Sequence, residues 1–393
     1  NLLDIYRQSR SGLSTPEWQN RAGKLFLTLP SEAKATDLLN VLAADAEAKL
    51  TQALFSRGIQ INDSRERLAL VSMVFNGGLG IFGSSLQDSN LLDALQAGNR
   101  VEAWYEIRYR SNKEAIQGIA DRRAAESDLF GLYNAVNGQI PTSELEARQV
   151  LGFLRQPNIE EKITIDDVKY HRNPGGVTQG SGLDRYLQPA ESLLKALFYS
   201  SAAHVFVGPG GDPIQGTNEN DLLLGGISHD ILIGGGGDDV LRGELGKDLY
   251  VIGSGDGYDT IVDTASDLNG DGQPDGDGLG LVVLDQHLAQ GGIRRQGEPT
   301  YATVDGTITY QWDGTPGSDL TITGAGSTVT VKDFTNGKFG IQLPTLPAAL
   351  VENPERPGVG RSEYLRIDHY VQVGNHPITR WFVGSGVSID LLS

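Results

Sequence analysis

GTNENDLLL begins at Gly216, GGISHDILI at Gly225, GGGGDDVLR at Gly234 and GELGKDLYV at Gly243. These segments abut without a gap and place Asp221, Asp230, Asp239 and Asp248 nine residues apart. Asp212, in VGPGGDPIQ, is a fifth aspartate in the same register, followed by Pro213. A short fixed period of this kind signals stacked units, each too small to bury its own apolar face. Glycines let the backbone turn at positive φ and bring carbonyls inward. The aspartate closes each turn, and the next residues form a short strand. The strand's central side chain, Leu223, Leu232, Leu241 or Tyr250, is expected inside, with its neighbours contributing less. Calcium takes about six to eight hard oxygens, which stacked turns supply as carboxylates and carbonyls. Without a cation the aligned acids repel one another, and the short strands bury too little to offset chain ordering. The segment is therefore expected to unfold when calcium is withdrawn.

The charge distribution agrees. The chain carries a net charge of −18, and residues 207–280 hold fifteen acidic side chains against only Arg242 and Lys247. Such a segment calls for counter-ions, and the overall balance argues against nucleic acid as a partner. The register is that of the G-G-x-G-x-D-x-U-x solenoid repeat. The segment resembles the RTX family of calcium-binding secreted proteins, which implies bound calcium, type I secretion and a secreted, extracellular or cell-surface location. GSGDGYDTIVDT (253–264) resembles the family's usual end of the roll, with Asp256, Asp259 and Asp263 as further candidate ligands. In DLNGDGQPDGDG, Asp267, Asn269, Asp271 and Asp275 occupy positions 1, 3, 5 and 9 of an EF-hand-like pattern, with Gly272 at 6. Position 12 is Gly278 instead of the bidentate Glu. This loop reads either as one more calcium site or as a polar turn.

Residues 279–345 alternate as strands do, with Gly, Asp and Asn at the turns. VKDFTNGKFGIQL (331–343) resembles a segment that often follows the roll in RTX proteins. The stretch is expected to cap the roll's open end, whose strand edges need covering. A Pro-rich stretch and two strand-like runs follow from 346, and the resemblance implies a secretion signal at the C-terminus.

The front half reads as helical. Asp63 and Glu66 form a candidate capping box, and Leu68, Leu70, Val71, Met73, Val74 and Phe75 run nearly all round the helix that follows, predicting a buried one. Asn76-Gly77-Gly78 ends it. Further helices are expected at about 98–108, with Trp104, and 114–133, with Arg122, Arg123 and Glu126. Ser143 and Glu146 make a second capping box ahead of Ala147, Val150, Leu151 and Leu154. A loop at 173–182 precedes a last helix near 189–200. Residues 65–133 resemble the C-terminal lobe of phage-type lysozymes, through Phe75-Asn76-Gly77-Gly78, the Gly/Phe/Ser-rich turn after it, the Trp104 helix, and Asp121-Arg122-Arg123. That resemblance implies a glycan-facing set of Asn76, Trp104 and Arg122, with Arg122 in the place of the Arg that pairs with the catalytic Glu. Two plainer readings stand beside it: Asn76 as a helix C-cap, and Arg122 as a surface partner of Glu126 at i+4.

The family's catalytic Glu and the Gly/Tyr hairpin after it are not identifiable here. Glu17, in STPEWQ, is the only early Glu near an aromatic and reads as a helix start. Either a catalytic lobe precedes Asn1, or the segment is a lysozyme-like scaffold without its acid. The chain has no Cys, no His-Glu-x-x-His, no Gly-x-Ser-x-Gly and no Walker-type loop, which excludes the corresponding chemistries. Its six His residues are scattered. No apolar run is long enough to span a bilayer.

The expected fold class is multidomain α+β. A helical lysozyme-like lobe (1–135) and a helical bridge or linker (136–206) lead into a parallel β-roll (207–265). A small antiparallel β cap (266–345) and a C-terminal β segment with the secretion signal (346–393) follow. On this reading the helical front half stays folded when calcium is removed. Two functions are expected. One is a secreted calcium-binding protein with a lysozyme-like module of the peptidoglycan glycosidase type, a glycoside hydrolase if active, whose catalytic Glu is not identifiable in this chain and whose partner is peptidoglycan or another cell-surface glycan. The other is a calcium-ordered surface or matrix protein that self-assembles without catalysis.

Overall fold

The computed structural model describes residues 31–83, 86, 89–111, 117–136, 138–170, 181–208, 213–263 and 280–346, with four short strands between 365 and 383. Ser31 caps α1 (Glu32–Ser56) by accepting from the Lys34 amide. Helix α2 (Arg65–Gly77) is capped by Ser64, whose Oγ accepts from the Arg67 amide at 3.3 Å. The cap thus falls one residue after Asp63, whose side chain is fully exposed. Nor is α2 buried all round. Ala69, Leu70, Met73 and Val74 face the core, while Leu68 is 58% exposed and Phe75 38%. The apolar stripe is wider than the face its neighbours cover.

The short helices α3 (Asn90–Gln96) and α4 (Arg100–Tyr105) follow, the latter widening into a π-turn over Glu106–Arg110. That turn sends both Arg108 and Tyr109 inward. Arg108 donates to Ser127 Oγ (2.7 Å), and Tyr109 donates to Asp167 (3.2 Å). Helix α5 (Gln117–Phe130) packs on α2. Ser143 caps α6 (Glu144–Leu154) as expected, and Ala147, Val150, Leu151 and Leu154 are all buried. Helix α7 (Pro157–Lys169), opened by Pro157 at its first position, was not evident from periodicity. Helix α8 (Ser181–Phe198) runs up to the first strand.

Residues 136–206 are more than a linker. One buried apolar cluster runs from Ala46 and Leu50 of α1, through Leu151 of α6 and Leu194 of α8, to Val205, Leu222 and Leu224. The helices therefore cover the outer face of the strands that carry Val205, Leu222 and Leu224.

Strands β1 (His204–Val207), β3 (Asp221–Gly226), β5 (Val240–Glu244) and β7 (Tyr258–Ile261) pair in parallel in one sheet. β2 (Pro213–Gln215), β4 (Ile231–Ile233), β6 (Leu249–Ile252) and β8 (Leu281–Leu284) pair in parallel in a second. Consecutive repeats thus alternate between sheets, two to a coil. Leu223 lies opposite Leu241 and Leu232 opposite Tyr250, eighteen residues apart. On the last coil Leu241 meets Ile261, twenty apart, because the 253–257 turn is longer. Leu223, Leu232, Leu241 and Tyr250 are all 0% exposed and form one core between the sheets, as expected.

Strand β14 (Thr328–Phe334) extends the first sheet by pairing in parallel with β7, and carries the antiparallel run β13 (Ser318–Thr323), β12 (Thr309–Gln311) and β11 (Tyr301–Ala302). β9 (His287–Leu288) closes the second sheet against β8, and β10 (Arg294–Arg295) pairs with β15 (Thr345–Leu346). Phe339, Ile341 and Leu343 complete the core between the sheets. Near the C-terminus β16 (Leu365–Arg366) pairs with β19 (Phe382–Val383), and β17 (Gln372–Val373) with β18 (His376–Pro377). Among the described residues no helix is long and apolar enough to cross a membrane.

Candidate calcium turns and glycan-facing surface

The aspartates form two columns, one at each edge of the winding. On the first sheet Asp221 donates its amide to Asp239 Oδ1 (2.7 Å), and Asp239 donates its amide to Asp259 Oδ1 (3.0 Å). On the second, the Asp230 amide donates to Asp248 Oδ1 (2.9 Å). All five are at most 2% exposed. Asp239, Asp259 and Asp248 therefore each spend one carboxylate oxygen on the coil before. The Oδ2 atoms of Asp239 and Asp259 are buried with no hydrogen-bond partner. A buried carboxylate oxygen in that state is costly unless a cation reaches it.

The glycines shape the space around these oxygens. A Cβ on Gly216, Gly225, Gly234 or Gly243 would come within 3.0 Å of the carboxylate five residues on. These opening glycines are not the ones at positive φ. They are small because the aspartate folds back over them. Positive φ falls instead on Gly235, Gly237, Gly246 and Gly257. At these positions a Cβ would meet a carbonyl of the preceding coil, for instance Thr217 O at 2.0 Å from Gly235. Among the described residues no three or more acidic or His side chains gather on one point. A metal here would draw on one or two carboxylates and on carbonyls of the turns, a hard-oxygen set that suits calcium.

The aspartates are not equivalent. Asp221 accepts from Thr217 N and Thr217 Oγ1 (2.6 and 2.8 Å) and contacts His204 Nδ1 (3.0 Å), so protein groups satisfy this first member. Burial, and then the charges of Asp221, Asp256 and Asp238, push Asp239 up to about 7. Burial and the charges of Asp239, Asp256 and Asp238 do the same to Asp259, also to about 7. Asp256 turns its carboxylate back on the Gly253 amide. Asp263 accepts from Tyr250 OH at 3.2 Å. Asp212, Asp267, Asn269, Asp271 and Asp275 lie outside the described residues, as does Glu17.

On the helical lobe Asn76 and Arg122 are exposed, at the end of α2 and on α5. Asn76 Nδ2 donates to the Ser72 carbonyl (2.8 Å), so its side chain ties off its own helix while facing solvent. Trp104 corrects the expected set. It is 1% exposed, edge-on to Tyr186 at 4.9 Å and to Tyr109 at 5.9 Å, and the core leaves it no face for a glycan. Glu126 is not the partner of Arg122. It is buried, pairs with Arg123 at i+3 and accepts from Ser72 Oγ (2.8 Å), which locks α5 to α2 beneath the Asn76 turn. Replacing Glu126 by Ala would leave Arg123 as an uncompensated buried charge. The expected loss is about 3–5 kcal/mol of stability in a thermal melt at saturating calcium. A loss under about 1 kcal/mol would mean that water already reaches the pair. A groove of about 410 Å³ lined by Gln60, Arg100, Phe130 and Gln149 lies elsewhere and includes neither Asn76 nor Arg122.

Sequence periodicity alone did not single out Glu244. It is 0% exposed, stands where Gly226 and Gly235 stand in the preceding repeats, and has φ +72. The signal was present as two departures from the repeat, Arg242 at a strand position and Glu244 at a glycine position.

A helical module packed on a two-sheet winding of Gly/Asp turns defines the class: a calcium-repeat protein with a helical domain ahead of its repeats. Two family models match the chain. The phage lysozyme model matches residues 19–126, and the RTX calcium-binding nonapeptide repeat (4 copies) matches 207–241, 215–250 and 224–261. The chain therefore carries a phage lysozyme domain and RTX calcium-binding repeats. The lysozyme match reaches back beyond the 65–133 segment and takes in α1. No curated protein matches the chain.

Proposed function

We propose that the protein is a secreted, calcium-folded carrier of a lysozyme-like module. The repeats form a calcium β-roll that orders outside the cell, and the helical lobe meets peptidoglycan or a related cell-surface glycan on the side of Asn76 and Arg122. The observation that supports the calcium part best is the pair of buried, partnerless Oδ2 atoms on Asp239 and Asp259. The family match over 19–126 and the exposure of Asn76 and Arg122 support the glycan part. No described residue is assigned the role of catalytic acid.

Two experiments test this. Asp230→Ala combined with Asp239→Ala is expected to raise the calcium needed for the β signal in circular dichroism by roughly ten-fold or more, the loss of about two ligands. An unchanged titration would remove both residues from the site. Sedimentation with purified cell wall, with calcium and with chelator, reads the glycan part. Retention weakened by Asn76→Ala and Arg122→Ala supports it. Absence of retention, with calcium-dependent folding intact, would leave a calcium-ordered surface protein as the better account.

A further inference from the structure

We propose that Glu244 couples the calcium turns to the helical module, so that occupancy of the winding sets how tightly helices α6 and α8 are held. The inference rests on the calcium reading above and adds to it a route by which the repeats act on the domain that precedes them. Glu244 closes β5 and opens the turn that ends at Asp248. It is fully buried and ion-paired to Arg148 of α6, itself 6% exposed. Arg148 also holds Glu144 (2.8 Å). Arg242 approaches Glu244 at 3.7 Å and lays its guanidinium over Phe198 at the end of α8 (4.3 Å). Both departures from the repeat therefore serve one contact with the helices.

The same turn belongs to the metal-binding machinery. Asp248 receives the Asp230 amide. The Gly243 carbonyl lies so close over Gly225 that a Cβ there would stand 2.6 Å from it. Glu244 holds a left-handed backbone that glycine adopts freely and glutamate does not. Its side chain reaches Arg148 only while that backbone is in place. A cation that orders the 243–248 turn fixes the conformation in which Glu244 meets α6, and docking of α6 fixes the turn in the conformation the cation needs. Burying either charge without the other is strongly unfavourable, so the two events are linked in both directions. A second polar contact runs in parallel, from Tyr199 just beyond α8 to the Asp238 carbonyl (2.8 Å).

The test is amide hydrogen exchange on the full chain, with calcium chloride and with chelator, on wild type and Arg148→Met. In wild type, calcium is expected to slow exchange in α6 and α8 together with β3 to β6. Arg148 offers no atom to the ion, yet Arg148→Met is expected to abolish the helical response and raise the winding's calcium midpoint by about five-fold or more. Should Arg148→Met fail to fold, Arg148→Met with Glu244→Gln removes both charges and should show the same uncoupling. Calcium protection of the strands with α6 and α8 unmoved in wild type would overturn the proposal. So would a variant that folds and keeps both the wild-type midpoint and the helical response. A winding that ignores calcium altogether would instead overturn the proposed function.

Discussion

Withdrawing calcium at pH 8 is expected to remove most of the β signal of residues 204–284 and make them protease-sensitive, and lowering the pH to about 5 in chelator is expected to restore part of it. The second half follows from Asp239 and Asp259, both pushed up to about 7 in the folded, metal-free winding, first by burial and then by neighbouring acids. Their ordinary value is 3.8. A raised acid is the reverse of the usual salt-bridged carboxylate. Below the unfolded value both states are protonated and the folded winding carries no penalty. Between about 4 and 7 the unfolded chain has released protons that the folded one retains, so stability falls as the pH rises. Above about 7 the penalty is complete. Calcium substitutes for those protons, so its uptake near pH 7 should release protons. Circular dichroism at the two pH values in chelator reads the first effect. Calorimetric titration in two buffers of different ionisation enthalpy reads the second. A metal-free winding equally disordered at pH 5 and pH 8, with no proton release, would mean that these two acids are not the ones the ion neutralises.

Much of this winding is legible in the chain. A nine-residue period with one acid and one apolar position defines the coil, because the glycine that must admit the aspartate and the leucine that must enter the core fall at fixed offsets. What could not be read was the surface on which the winding rests. Leu222 and Leu224 looked like minor neighbours of Leu223, since a strand of a lone winding turns them outward. They are 0% exposed because α6 and α8 lie on that face, whereas Ile231 and Ile233 of the other sheet have no such cover and stay partly exposed. Leucines on both faces of β3 were the available sign. On the lobe, Asn76 and Arg122 lie on the surface, and Trp104 lies in the core. An aromatic at helical spacing is the same letter whether it faces a ligand or a core, and the π-turn that draws Tyr109 and Arg108 in beside it has no sequence mark. The join between the helices and the first sheet was equally hidden: one continuous buried cluster, from Leu50 to Leu224, links them.

Phe339 is a large side chain buried at the far end of the winding, and its removal should be among the most damaging changes to the strand region. Phe339 is 1% exposed and meets Tyr250 edge-on at 5.5 Å between ring centres. It is held at φ +56, a backbone seldom adopted by bulky residues. The hydrogen bonds from Gly337 N to Ile341 O (2.9 Å) and from Gly340 N to Gly337 O (3.0 Å) brace that turn. Tyr250 in turn accepts from the Gly243 amide (3.1 Å) and donates to Asp263, so Phe339 bears on the innermost member of the core and on the turn that begins at Gly243. Phe339→Ala is expected to cost about 3–5 kcal/mol, the range for a large aromatic removed from a packed core, with slight relief from the smaller side chain at positive φ. The loss should appear in urea unfolding at saturating calcium. It should also open β6 and β8 to proteolysis, because Phe339 packs on Tyr250 of β6 and its turn lies against β8. Tyr250→Phe keeps the ring contact and loses only the hydroxyl bonds, and should cost about 1–3 kcal/mol. If the two variants fell by similar small amounts, the roll would be closed by its strand pairing alone and the 331–343 segment would merely follow it.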